Sequence, residues 1–104
     1  MYAKISGFTL VASLLMFNAA FAANLEAGKS ASATCAGCHG PNGISASGAF
    51  PNLAGQKADY LTAQLKAFKA KTRVASIMNG MAAGLKDEDI DNLAAYFASL
   101  KACE

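Results

Sequence analysis

Residues 35–39 read Cys35-Ala36-Gly37-Cys38-His39, two thiols three positions apart with an imidazole directly after the second. Side chains three apart on a helical turn lie on one side. Both thiols therefore face one partner, and Cys-x-x-Cys-His is the spacing that attaches haem c through two thioether bonds. His39 then meets the iron. Three plainer readings compete. A thioredoxin-like dithiol needs a βαβ setting that this chain does not offer. A zinc site built from Cys35, Cys38, His39 and Cys103 would crowd the adjacent Cys38 and His39 onto one tetrahedral ion. Chance occurrence of a five-residue pattern is countered by its position, just after a short helix in a chain that reads as exported.

Upstream of the motif, Asn24 suits the cap of a first helix through Leu25, Glu26 and Ala27 toward Cys35, with Glu26 favouring the positive N-terminal end. Before it lies a different kind of sequence. Lys4 precedes a mostly apolar run from Ile5 to Phe17, and Ala20-Phe21-Ala22 supplies small residues at minus three and minus one. Residues 1–22 are expected to be a cleaved signal peptide, with the folded domain spanning residues 23–104. Ser6, Gly7, Thr9, Ser13 and Asn18 interrupt the run, which leaves it short of the roughly 20 apolar residues of a membrane span. The mature chain is expected in the periplasm, with no stable membrane insertion. Cleavage takes Lys4 and no acid, which leaves eight basic and seven acidic residues. A nearly neutral balance gives no footing for nucleic acid.

Downstream, residues 40–56 are rich in Gly, Ser, Pro and Asn without sustained periodicity, the signature of a long loop. Loops of this length usually have something to wrap. Leu61, Leu65 and Phe68 then recur at helical spacing, with Lys57, Lys66, Lys69 and Lys71 mostly on the other side. Residues 73–80 form a short helical piece, broken near Gly84. Asp87, Glu88 and Asp89 suit the N-terminus of a last helix, in which Ile90, Leu93, Ala94, Phe97 and Leu100 form a buried stripe. No strand pattern and no repeat is visible. The fold class is all-α: three to four short helices and a long loop around one covalently attached haem. A mature domain this small has a thin core, and a large apolar cofactor would fill it.

A six-coordinate iron needs a second axial ligand, and His39 is the only histidine. Met1 and Met16 leave with the signal, so Met78 and Met81 remain, three apart on one face of the short helical piece. Either could instead be plain core packing. Thioether ligation trans to histidine raises the potential of a haem used for electron transfer.

The mature chain resembles the class I c-type cytochromes, especially small bacterial ones and single domains of their di-haem relatives. The resemblance rests on Cys35-Ala36-Gly37-Cys38-His39-Gly40, Phe50-Pro51-Asn52-Leu53-Ala54-Gly55-Gln56, Tyr60-Leu61 with Gln64-Leu65, and the run from Leu85 to Ile90 that leads to Ala94-Ala95-Tyr96-Phe97. It implies thioethers at Cys35 and Cys38, axial ligation by His39 and Met78 with Met81 as fallback, and a Pro51 carbonyl that holds the imidazole. It also implies close approach of Gly28 to Tyr96 or Phe97. Two features depart from the family pattern: Lys86 stands where a Ser cap is usual, and Cys103 is a third thiol.

The expected function is a shuttle for single electrons, not an enzyme, with haem c as its one cofactor. Its partners are expected to be redox proteins: membrane cytochrome complexes, terminal oxidases or periplasmic dehydrogenases. Lys57, Lys66, Lys69, Lys71 and Arg73 are candidate steering charges. The alternative is a haem c subunit of a periplasmic dehydrogenase complex with a flavin or molybdenum partner. A gas-binding sensor in the four-helix style carries its motif near the C-terminus, whereas Cys35 lies near the mature N-terminus.

Overall fold

The computed structural model describes Ala3, Gly7 and residues 23–103. Apart from those two positions, the expected signal segment lies outside the described residues. The elements in order are α1 (Leu25–Ala31), a 3-10 turn (Ser32–Thr34), α2 (Ala36–His39), α3 (Ala58–Ala70), α4 (Ser76–Ala82) and α5 (Asp87–Ser99). The all-α expectation holds. Among the described residues the α-helices number five, because the expected first helix is broken. Ser32 Oγ donates to Lys29 O at 2.6 Å and Thr34 Oγ1 to Ala31 O at 3.2 Å. Hydroxyls that bond back onto the preceding turn compete with continuation of the helix. The backbone tightens there, Cys35 N donates to Ser32 O, and the chain restarts as α2.

Asn24 caps α1 as expected, its Oδ1 accepting from Ala27 N at 3.1 Å. The same residue ties the two ends of the domain together, because its backbone N–H donates to Oδ1 of buried Asn92 on α5 at 2.8 Å. α1 crosses α5 at Gly28. A Cβ built there would lie 2.2 Å from Asn92 O and 2.7 Å from Tyr96 Cβ, so only glycine lets the backbones meet this closely. Tyr96, as expected, and Asn92 meet Gly28 at the crossing.

Ile90, Leu93, Ala94 and Phe97 are all buried on α5, and Leu93, Ala94 and Phe97 form one cluster with Leu61 of α3. Each large side chain buried this way stabilises the fold by roughly 1.5–3 kcal/mol. At the start of α5, Lys86 cannot cap, since an ammonium only donates. Asp89 instead accepts from the Lys86 backbone N–H at 2.9 Å, half of a capping box. The departure from a Ser cap is thus partly offset by the acidic run itself.

Helix α4 begins later than the sequence suggests, at Ser76 instead of Arg73. α3 ends on Lys71, whose φ of 61° is left-handed, and Thr72 N and Arg73 N both return to Ala67 O. Ala75 is extended. These residues are consumed in turning the chain, and the helix resumes only after them.

Candidate haem site

The central feature is a cavity of about 610 Å³, within the range of small-molecule and cofactor sites. Cys35, the N-cap of α2, lines it together with Cys38 and His39 of α2, Phe50 and Pro51 of the long loop, Leu61, Leu65 and Phe68 of α3, and Met78 and Met81 of α4. All four residues expected to bind the cofactor, with the fallback Met81, are therefore brought to one space. Met78 is half-buried, and Met81 is 44% exposed.

The imidazole of His39 is buried, and its Nδ1 lies 2.8 Å from Pro51 O. A carbonyl only accepts, so Nδ1 carries the proton, and Nε2 is left with its lone pair for a metal. The ring of Phe50 meets the imidazole edge-on, with centroids 6.3 Å apart and planes at 67°. Together they fix the ring in two dimensions: the bond sets its rotation, and Phe50 limits its tilt.

The loop that brings Phe50 and Pro51 here folds around two glycines. Gly40, directly after His39, has φ 85° and ψ 152°, and a Cβ there would lie 1.9 Å from Ile44 O. Gly43 donates to Gly40 O and accepts from Leu53 N at 2.8 Å and Ala54 N at 3.0 Å. Gly55 N then donates to Phe97 O at 2.9 Å, which fastens the loop to α5. Asn52 Oδ1 accepts from Ser45 N at 2.7 Å across the loop. Positive φ at Gly40 and Gly43 could have been suspected from their type alone, but their hydrogen-bond partners could not.

Burial pushes the Cys35 thiol pKa up, a bond to Thr34 pulls it partly back, and the neighbouring Cys38 adds a further upward push. Cys38 and Cys103 are exposed, and none of the three cysteines is in a disulfide. Among the described residues no three of His, Cys, Asp and Glu group closely enough to hold a metal ion. The zinc arrangement with Cys103 is thus not assembled. Two thiols on one turn, an imidazole with one nitrogen already engaged, thioether sulfur in the facing helix and apolar walls form a donor set that fits a covalently attached haem.

Arg73 lines the same cavity, donating to Gln64 Oε1 at 2.7 Å and lying 4.6 Å from the Phe68 ring centroid. Lys69 Nζ donates to Leu85 O. All five candidate steering charges are exposed, and these two are also hydrogen-bonded within the molecule.

A helical frame of α1, α3 and α5 with a Cys-x-x-Cys-His motif lining its cavity and the motif imidazole buried defines a c-type cytochrome. Residues 25–101 match the family model described as cytochrome c, and the chain belongs to that family. It is similar to cytochrome c-554(548) of Halomonas halodenitrificans, 42% identical over 75% of this chain and 98% of that one. Among solved structures it is similar to cytochrome c4 of Acidithiobacillus ferrooxidans, with TM-score 0.72 and 34% identity over 75% of this chain and 50% of that one. It is also similar to a thiosulfate dehydrogenase of Marichromatium purpuratum, with TM-score 0.73 and 34% identity over 78% of this chain and 20% of that one. The chain thus spans nearly all of the c-554(548) relative but half or less of the two solved chains. It carries covalently bound haem c and transfers electrons through it to and from redox partners. Among the described residues no helix is long and apolar enough to cross a membrane.

Proposed function

We propose that the chain is an exported, single-haem electron carrier in which Cys35 and Cys38 hold haem c as thioethers and His39 and Met78 are its axial ligands. One observation carries the reading: Cys35, Cys38 and His39, at and before α2, and Met78, on α4 beyond the long loop and α3, line a single apolar cavity. Haem c supplies the one-electron couple. The protein's residues do the rest. The Pro51 carbonyl holds the Nδ1 proton of His39, which orients Nε2 and strengthens it as a donor. Met78 contributes a soft neutral sulfur that favours the reduced state. Leu61, Leu65 and Phe68 keep water from the site. Membership of the cytochrome c family supports a carrier over an enzyme.

Residues 1–22 then act as the signal that takes the domain to the periplasm. Lys57, Lys66 and Lys71 are exposed and supply weak, salt-sensitive attraction to redox partners such as membrane cytochrome complexes, terminal oxidases or dehydrogenases. Likeness to part of a thiosulfate dehydrogenase favours one second reading, a haem subunit in lasting association with a dehydrogenase. Sedimentation of the periplasmic protein separates the two: a free carrier runs at the mass of one domain.

The direct test is the absorption spectrum of protein matured in the periplasm, for wild type, Met78→Ala and Met81→Ala. Low-spin covalent haem with a sulfur-to-iron charge-transfer band, lost only in Met78→Ala, is the expected result. High-spin wild-type iron that readily takes up carbon monoxide overturns the axial assignment, and absence of covalent haem overturns the whole reading.

A further inference from the structure

Helix α4 has seven residues, too short to persist by itself, and its N-cap residue Ala75 has no side chain that could satisfy the first turn. Something else must fix it in place. Asn79, one residue past Met78, does so through every arm of its side chain. Its Oδ1 accepts from Ala75 N at 2.9 Å, and its Nδ2 donates to Phe68 O at 2.8 Å and to Arg73 O at 2.9 Å. Its backbone N–H also donates to Ala75 O at 2.8 Å. The side chain therefore closes the first turn of α4 from within and ties it to the last turn of α3 and to the residues between. α3 is in turn anchored in the core by Leu61 and Phe68.

We propose that Asn79 is the positioning residue that keeps the methionine-bearing helix against the cavity and so holds Met78 on the iron. This rests on the assignment of Met78 as the axial ligand. Without the two Nδ2 bonds, the first turn of α4 loses its side-chain hydrogen bonds to α3 and to the turn at residues 71–75, where Val74 is 85% exposed and adds little packing, while Ala82 at the far end of α4 stays buried. Met78 would then leave the iron more often, with the rest of the domain intact.

The test uses mature holoprotein carrying Asn79→Asp, which keeps an acceptor for Ala75 N but loses both donors. Asn79→Ser gives a milder second variant should the first not accumulate. Asn24→Ala, which removes the cap of α1 remote from α4, controls for general destabilisation. The readouts are the pH at which the sulfur-to-iron charge-transfer band is lost in the ferric protein and the carbon monoxide affinity of the ferrous protein. Two bonds of ordinary strength lost from the ligated state should raise carbon monoxide affinity about tenfold or more and lower the pH midpoint of the band in the Asn79 variants. Asn24→Ala should lower the melting temperature and leave both readouts at wild-type values. The proposal is overturned if the Asn79 variants lose thermal stability yet keep wild-type carbon monoxide affinity and pH midpoint. A band that survives intact in Met78→Ala overturns it at its premise, a result distinguishable because it appears in that variant alone.

Discussion

His39 Nδ1 and the carbonyl oxygen of Pro51, twelve positions apart in the chain, lie 2.8 Å from one another, so the loop after the motif grips the ring that precedes it. That grip depends on how the loop leaves α2. At Gly40 the backbone adopts φ 85° and ψ 152°, a region open in practice to glycine alone, and a Cβ would strike Ile44 O. Gly40→Ala is expected to cost more than about 3 kcal/mol, strain and backbone clash together. Yield of haem-bearing protein after periplasmic expression should fall severely, and wild-type yield would show that the loop has another path.

The two glycines at Gly28 and Gly37 make a matched comparison within one short stretch. Gly28→Ala places a methyl group against Asn92 O and Tyr96 and should destabilise by about 1–3 kcal/mol through overpacking. Gly37 lies in α2 with nothing within 4 Å of its absent Cβ, and Gly37→Ala should be neutral or stabilising by up to about 1 kcal/mol. Denaturant midpoints of the two holoproteins decide it, and equal losses would contradict the close crossing of α1 and α5.

Before thioether formation the two motif thiols should differ. Burial, the largest influence on Cys35, raises its pKa, so the folded chain keeps that proton where the unfolded chain has released it. Its contribution to the stability of the haem-free chain is therefore full below the ordinary thiol range and is lost as pH rises through the folded value. In haem-free protein carrying Cys103→Ser, iodoacetamide should modify exposed Cys38 faster than Cys35, with the difference narrowing at alkaline pH. Equal rates at neutral pH would mean that the pocket around Cys35 does not form ahead of the cofactor.

Lys71 ends α3 in the left-handed conformation, which costs an L-residue roughly 1–2 kcal/mol. Glycine removes that strain at a smaller cost in unfolded-state entropy. Lys71→Gly should stabilise the protein by about 0.5–1 kcal/mol, while Lys71→Ala, which keeps the strain, should give no gain. A thermal melt of each is sufficient.

What the sequence by itself determined is local. The Cys35, Cys38 and His39 motif, the Asn24 cap, and the stripe from Ile90 to Phe97 each depend on contacts within a turn or two, and such contacts repeat with the period of the helix. The Gly28 crossing and the Pro51 bond were legible only through resemblance to known cytochromes, since nothing near either residue announces a partner. Tertiary structure alone decided that α4 starts at Ser76, that Asn79 and not a conventional cap secures it, and that Gly40 and Gly43 shape the loop. It also brought Met78 and Met81 into the cavity that Cys35 and His39 line. These outcomes turn on which backbone carbonyls and amides remain unpaired once the helices have packed, a quantity fixed by the whole chain and by no stretch of it.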